Sequence, residues 1–107
     1  MIDAIRIVTT TGTRDDAQRI ADALVERRLV ACAQVGGPIR STYRWQGEVH
    51  RDEEFTCTMK TARALYERVE QAIRQMHPYD EPEILATPIV AGSAGYLRWL
   101  AEQVDLS

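Results

Sequence analysis

Lysine is almost absent from these 107 residues: Lys60 stands alone, and arginine supplies the rest of the 13 basic side chains. The 16 acidic residues outnumber them, the formal net charge is −3, and no run of five basic residues occurs. Nucleic acid and anionic membrane both need a concentrated positive patch, so neither is expected as a partner. No apolar run approaches the roughly 18 residues of a membrane span, and the N-terminus lacks the basic-then-apolar order of a signal peptide. The chain is therefore expected in the cytoplasm. In that reducing compartment its two cysteines, Cys32 and Cys57, are expected as free thiols.

The motifs of common chemistry are also missing. No CxxC or other close cysteine pair offers a structural zinc spacing. Thr10-Thr11-Gly12-Thr13 lacks the lysine and the glycine spacing of a phosphate loop, and no GxGxxG follows a strand. The serines are Ser41, Ser93 and Ser107, none in a nucleophile elbow. The carboxylates are too dispersed to suggest paired-carboxylate hydrolysis. No covalent chemistry and no organic cofactor are expected, so the chain reads as a binding protein and not as an enzyme.

What is present is periodicity. Ile5 to Val8 reads as a buried strand, and Thr13 with Asp16 resembles a helix-capping pair. Ala17, Ile20, Ala21, Leu24 and Val25 recur at 3.6 residues, with Arg27 and Arg28 placed in the last turn. Val30 to Val35 supplies a second strand, and Gly36-Gly37-Pro38 bends the chain. Ile39, Tyr43, Trp45 and Val49 then share one parity, and Phe55, Cys57 and Met59 alternate with Glu54, Thr56, Thr58 and Lys60. Two long strands fit this pattern, connected somewhere between Gln46-Gly47 and His50-Arg51-Asp52. Thr61 caps a helix striped by Leu65, Val69, Ala72, Ile73 and Met76, which His77-Pro78 stops. Ile84-Leu85 opens a last strand ending near Pro88-Ile89, and a short helix runs from Tyr96 to about Val104.

The order is βαββαβ with an added C-terminal helix, in a single domain spanning 1–107. Two crossover helices can cover one face of a four-stranded antiparallel sheet. The second face is expected to carry large side chains from the long hairpin, and burying it calls for oligomerisation.

Cys32, between Ala31 and Ala33, is either a small buried hydrophobe or a ligand or reactive thiol; Cys57 lies on the apolar phase of its strand and reads as packing. His77 is either a helix-end residue favoured by the dipole or a metal ligand, in the company of Tyr79, Asp80, Glu81 and Glu83. Sulfur with imidazole suits copper and not magnesium or calcium. Tyr43, Trp45, Tyr79 and Trp99 read as core and interface packing or as the lining of a small-molecule cleft, to which Glu53, Glu54, Asp80, Glu81 and Glu83 would add charge.

Several segments together carry a resemblance. Val30-Ala31-Cys32-Ala33, Ile39 to Val49 with its Tyr-x-Trp-x-Gly stretch, Glu53-Glu54, Lys60-Thr61, His77 to Ile84, Pro88-Ile89, Gly92 and Tyr96 to Trp99 occur in the order of the CutA family of divalent-cation tolerance proteins. The chain resembles that family over essentially its whole length. The resemblance implies an α+β, ferredoxin-like fold with a long central hairpin, assembled as a homotrimer and akin in architecture to the PII signalling proteins. It implies a role in tolerance of copper or another divalent cation, with Cys32 and His77 as the metal candidates. Some relatives place a further cysteine where this chain has Thr9, a poorer ligand for Cu(I). The alternative function is a PII-like trimeric module that binds a small anion or metabolite between subunits.

Overall fold

The computed structural model describes residues 2–107. The elements are β1 (Ala4–Thr11), α1 (Arg14–Glu26), β2 (Cys32–Trp45), β3 (Glu48–Ala62), α2 (Tyr66–Met76), β4 (Ile84–Pro88) and α3 (Ala94–Gln103). They form one antiparallel sheet in the order β2-β3-β1-β4, the ferredoxin-like arrangement with a helix added after the last strand.

Alternation decides which face of the sheet each residue takes. In β1, Ile5, Ile7, Thr9 and Thr11 point to the helices and are buried, and their partners Thr61, Met59 and Cys57 in β3 do the same. Against them pack Ala17, Ile20, Ala21 and Leu24 of α1 and Val69, Ala72 and Ile73 of α2. Leu97 and Leu100 of α3 and Val104 just past its end join this core. Each large aliphatic side chain buried here contributes about 1.5–3 kcal/mol. Val25 continues the periodicity of α1 but is 42% exposed, because the covered stripe ends at Leu24.

Thr13 caps α1, its Oγ1 accepting from the Asp16 amide at 3.1 Å, while the Asp16 carboxylate turns to Arg19. Arg27 and Arg28 lie past the end of that helix and not in its last turn. Arg28 adopts a left-handed φ of 59° and reaches another helix end: its Nε donates to the Gln103 carbonyl at 2.9 Å and its Nη2 to the Glu102 carbonyl at 2.7 Å. A cation is thus supplied to the negative end of α3.

Two local expectations are corrected. Thr61 does not cap α2; it is buried in β3, and its hydroxyl donates to the Leu29 carbonyl at 2.7 Å. The path into α2 is a 3-10 turn, Arg63–Leu65, without a side-chain cap. The terminal helix starts earlier than Tyr96, with Ser93 accepting from the Tyr96 amide at 3.4 Å.

The hairpin turn is the residue pair Gln46-Gly47, both at positive φ (51° and 82°), since Trp45 pairs with Glu48. This two-residue turn matches the strand twist. It also places Val49 opposite Arg44, on the other face from Tyr43 and Trp45, so the shared parity of these residues does not mean a shared face.

At Gly36–Ile39 the β2–β3 register shifts. A Cβ on Gly37, at φ 121°, would stand 3.0 Å from the Glu54 carbonyl. Before the shift Cys32 and Gln34 pair with Lys60 and Thr58 on the face away from the helices; after it Ile39, Ser41, Tyr43 and Trp45 take that face. The open face is consequently more polar than expected. Arg6, Val8, Thr10, Thr56, Thr58 and Lys60 occupy its centre, and the large aromatic groups sit on the hairpin. The hairpin projects, and the protein measures 45 × 25 × 21 Å.

Candidate functional site

Three places hold the residues singled out from the sequence. The first is the start of β2. Cys32 is half-buried, and its Sγ lies 3.7 Å from the Lys60 Nζ and 3.7 Å from the Tyr96 hydroxyl. Strand pairing brings Lys60 there, and α3 brings Tyr96 across the strand end. The Tyr96 phenol is held above its ordinary range, chiefly by its hydrogen bond with the sulfur and secondarily by desolvation. Trp99 stacks at a tilt on Tyr96, with ring centres 5.4 Å apart, and remains 40% exposed. Neither Lys60 nor Tyr96 was expected beside the thiol. Lys60 as the chain's only lysine was the one available sign.

The second place is the end of α2. His77 is buried, and both ring nitrogens are engaged. Nε2 donates to the Thr10 carbonyl at 2.7 Å, and Nδ1 accepts from the Tyr79 amide at 3.1 Å. Because one partner is a carbonyl and the other an N–H, the ring is the neutral Nε2–H tautomer. No nitrogen lone pair is left for a metal. Nor does His77 meet Cys32 within the protomer. Cys32 lies in the Lys60–Arg6 row of the sheet and His77 against Thr10, four residues along β1, or about 13 Å.

The third place is the base of the hairpin. The Tyr79 hydroxyl donates to the Glu54 carboxylate at 3.0 Å, and its ring lies 4.7 Å from that of His77. Burial, the bond to Glu54 and the nearby charges of Glu54 and Asp52 push the Tyr79 phenol up to about 12. Tyr43 donates to the Asp52 carboxylate, which raises its own phenol, and its ring stacks on His50. Asp52 was not among the residues singled out; its partnership with Tyr43 depends on the register of the hairpin.

Beside this row Pro38, Ile39, Arg40, Arg51, Asp52 and Glu53 line an open hollow of ≈ 320 Å³. Trp45, at the hairpin tip, is 53% exposed. Glu81 is drawn away to Arg74 at 3.2 Å, and Asp80 and Glu83 are exposed. The hairpin base therefore gathers Tyr43, Glu54 and Tyr79, with Glu53 on the reverse face; Trp45, Trp99, Asp80, Glu81 and Glu83 are not brought to it.

Among the described residues no group of three or more His, Cys, Asp or Glu side chains is placed to hold a metal ion. Cys32 offers a single soft donor, its thiol, beside a phenol oxygen and an ammonium that has no lone pair to give. The thiol alone suits Cu(I) in softness, and the described residues around it supply no second soft ligand from the same protomer. Cys57 adds nothing, since it is fully buried and burial pushes its thiol up to about 11. Thr9, beside Cys57 in the sheet, has a buried hydroxyl without a protein partner among the described residues.

Comparison with known proteins agrees with the fold. A family model described as CutA1 divalent ion tolerance protein matches residues 5–103. The divalent-cation tolerance protein CutA of Thermus thermophilus is 41% identical over 96 residues, covering 90% of this chain and 93% of that protein. Its counterpart in Pectobacterium atrosepticum is 35% identical over 100 residues, covering 94% and 91%. The crystal structure of CutA1 from Oryza sativa superposes with a TM-score of 0.96 at 30% identity, covering 99% of this chain and 97% of that one.

Proposed function

Because the chain belongs to the CutA1 divalent ion tolerance family, we propose that it acts in cation tolerance as a cytoplasmic homotrimer that meets copper through the Cys32 thiol. At the level of the family it is a divalent-cation tolerance protein and not an enzyme. The observation that carries the finer reading is the contrast between the two thiols. Cys32 is half-buried at a strand start, whereas Cys57 is sealed in the core with its proton held up to about 11. A soft ion arriving from solvent finds one accessible thiol.

Trimer formation is supported by what a single chain leaves wet. Ile39, Tyr43, Trp45, Val49 and Leu85 are 41–58% exposed, and Val90 is 93% exposed. The outer strands β2 and β4 also keep one unpaired edge each. In the trimer Tyr43, Trp45, Glu53, Glu54, Tyr79 and the loop acids line contacts between subunits. One thiol per protomer leaves room for a further donor from a neighbouring subunit or a small thiol. A cytoplasmic location suits two thiols that have no disulfide partner.

The second reading, a PII-like module for a small anion, draws on Arg40 and Arg51 in the hollow at the hairpin base. Asp52 and Glu53 in the same hollow oppose it. Two measurements on reduced protein test the proposal. Light scattering at several concentrations is expected to return three times the 12.1 kDa chain. Competition with a calibrated chelator is expected to show Cu(I) binding. A monomer throughout the micromolar range defeats the trimer, and binding no better than background with free thiols and an intact fold defeats the copper reading.

A further inference from the structure

Like charges face each other across the middle of the sheet. Arg6 of β1 and Lys60 of β3 are directly opposed, and Cys32 and Thr87 complete their row on the open face. Directly opposed like charges weaken an antiparallel pair. Among the described residues no carboxylate forms an ion pair with either cation. On that face of the strands the first carboxylate is Glu54, about 20 Å from Lys60 along β3, and it already accepts from the Tyr79 hydroxyl. Donor capacity is also left over. Lys60 is half-buried, and two of its three ammonium donors go to the Gln34 amide oxygen at 3.2 Å and the Cys32 sulfur at 3.7 Å. The third donor and the exposed Arg6 guanidinium remain, with the Thr58 and Thr87 hydroxyls beside them on the same face.

We infer that Arg6 and Lys60 form a binding site for a small oxyanion carrying two negative charges, of the size of phosphate or sulfate. The inference is independent of the copper reading, since it uses the two cations and not the thiol. It also places the anion away from the hollow at the hairpin base, where Asp52 and Glu53 offset Arg40 and Arg51. An anion seated between the opposed side chains replaces one repulsive pair by two attractive ones. The planar Arg6 guanidinium can take two oxygens side by side, and the Lys60 ammonium acts as a point charge. At about 4 Å each pairing of unit charges is worth about fivefold in affinity even at the dielectric of bulk water, and more where Lys60 is half-buried. A dianion makes twice as many such pairings with the two cations as a monoanion does, so the row favours the dianion by about 25-fold.

The test titrates inorganic phosphate, sulfate and acetate into the reduced, assembled protein by calorimetry. Mildly alkaline pH keeps phosphate mainly a dianion, and low ionic strength keeps screening weak. Phosphate and sulfate are expected to bind about 25-fold more tightly than acetate. Lys60→Met and Arg6→Met, each checked for fold and assembly mass, are expected to cost about 25-fold for phosphate and about fivefold for acetate. Lys60→Arg keeps the charge and is expected to keep the preference for a dianion. Arg40→Gln, in the hollow, and Cys32→Ser are expected to leave phosphate binding unchanged. A native protein without preference for a dianion, as when carboxylates of a neighbouring subunit fill the row, overturns the inference. So does a loss confined to Arg40→Gln, which moves the anion to the hollow, or a Lys60→Arg that behaves like Lys60→Met, which makes packing and not charge the cause. Phosphate binding lost in Cys32→Ser as fully as in Lys60→Met also overturns it, whereas Cu(I) lost there with phosphate retained keeps the two readings apart.

Discussion

Two threonines on the same face of the sheet should respond in opposite directions to the same substitution. Thr9 in β1 and Thr61 in β3 are both fully buried against the helices. The Thr61 hydroxyl donates to the Leu29 carbonyl at 2.7 Å, whereas the Thr9 hydroxyl meets no protein partner among the described residues. Threonine to valine exchanges a hydroxyl for a methyl of nearly equal volume, so no cavity term arises and the hydrogen bond decides the sign. Thr61→Val removes the donor and strands a carbonyl in the core, costing about 2 kcal/mol. Thr9→Val removes a desolvated, unpaired hydroxyl and adds an apolar group beside Cys57 and Ile84, a gain of about 1 kcal/mol. The two variants should therefore lie about 3 kcal/mol apart. Urea unfolding followed by tryptophan fluorescence measures this, at one protein concentration because assembly contributes to stability. Unchanged slopes would assign the difference to the native contacts. A Thr9→Val protein that loses as much stability as Thr61→Val would refute the reasoning.

Cys57 gives a pH signature. Its folded thiol is raised from an ordinary 9.0 to about 11, so its contribution is fully present below pH 9 and is lost as the pH rises toward about 11. The urea midpoint should fall over that window, and Cys57→Ala should lessen the fall; a fall of the same size in the variant contradicts the assignment. Cys57→Ser, which buries a poorly paired hydroxyl, should cost about 1 kcal/mol in the same assay. Arg28→Ala removes the guanidinium that caps α3 at Glu102 and Gln103. Amide exchange in that helix should quicken, and the Cys32 thiol, which Tyr96 of α3 touches, should react faster with a chromogenic disulfide; unchanged rates for both would show that the cap is dispensable.

The succession of helices and strands was legible because their apolar periods are long and their covered faces continuous, as with Ile20, Ala21 and Leu24 or Val69, Ala72 and Ile73. Turn chemistry was harder to read. Alternation runs unbroken through Gln46-Gly47, yet the two-residue turn reverses the face, so Val49 parts from Trp45. Thr61 has the residue type of a cap but also that of a strand, and the long-range bond to Leu29 decides between them.

The candidate site was legible in its residue types and not in its groupings. Cys32 sits in an apolar stretch, but its pairing with Lys60 is set by register across 28 residues of chain, and Tyr96 arrives from farther still. His77 stands beside Pro78 in a loop of acids, which suggested a ligand. Its actual partners, the Thr10 carbonyl and the Tyr79 amide, are backbone groups, which residue types do not reveal.

The central claim, that Cys32 is the copper-binding thiol of a trimeric tolerance protein, is tested most directly by Cu(I) competition on Cys32→Ser and Cys57→Ser, each with its assembly mass measured alongside. Cys32→Ser is expected to lose binding and stay trimeric, while Cys57→Ser, read at a temperature where it remains folded, keeps the native affinity. Undiminished binding in Cys32→Ser, or loss confined to Cys57→Ser, would contradict the account.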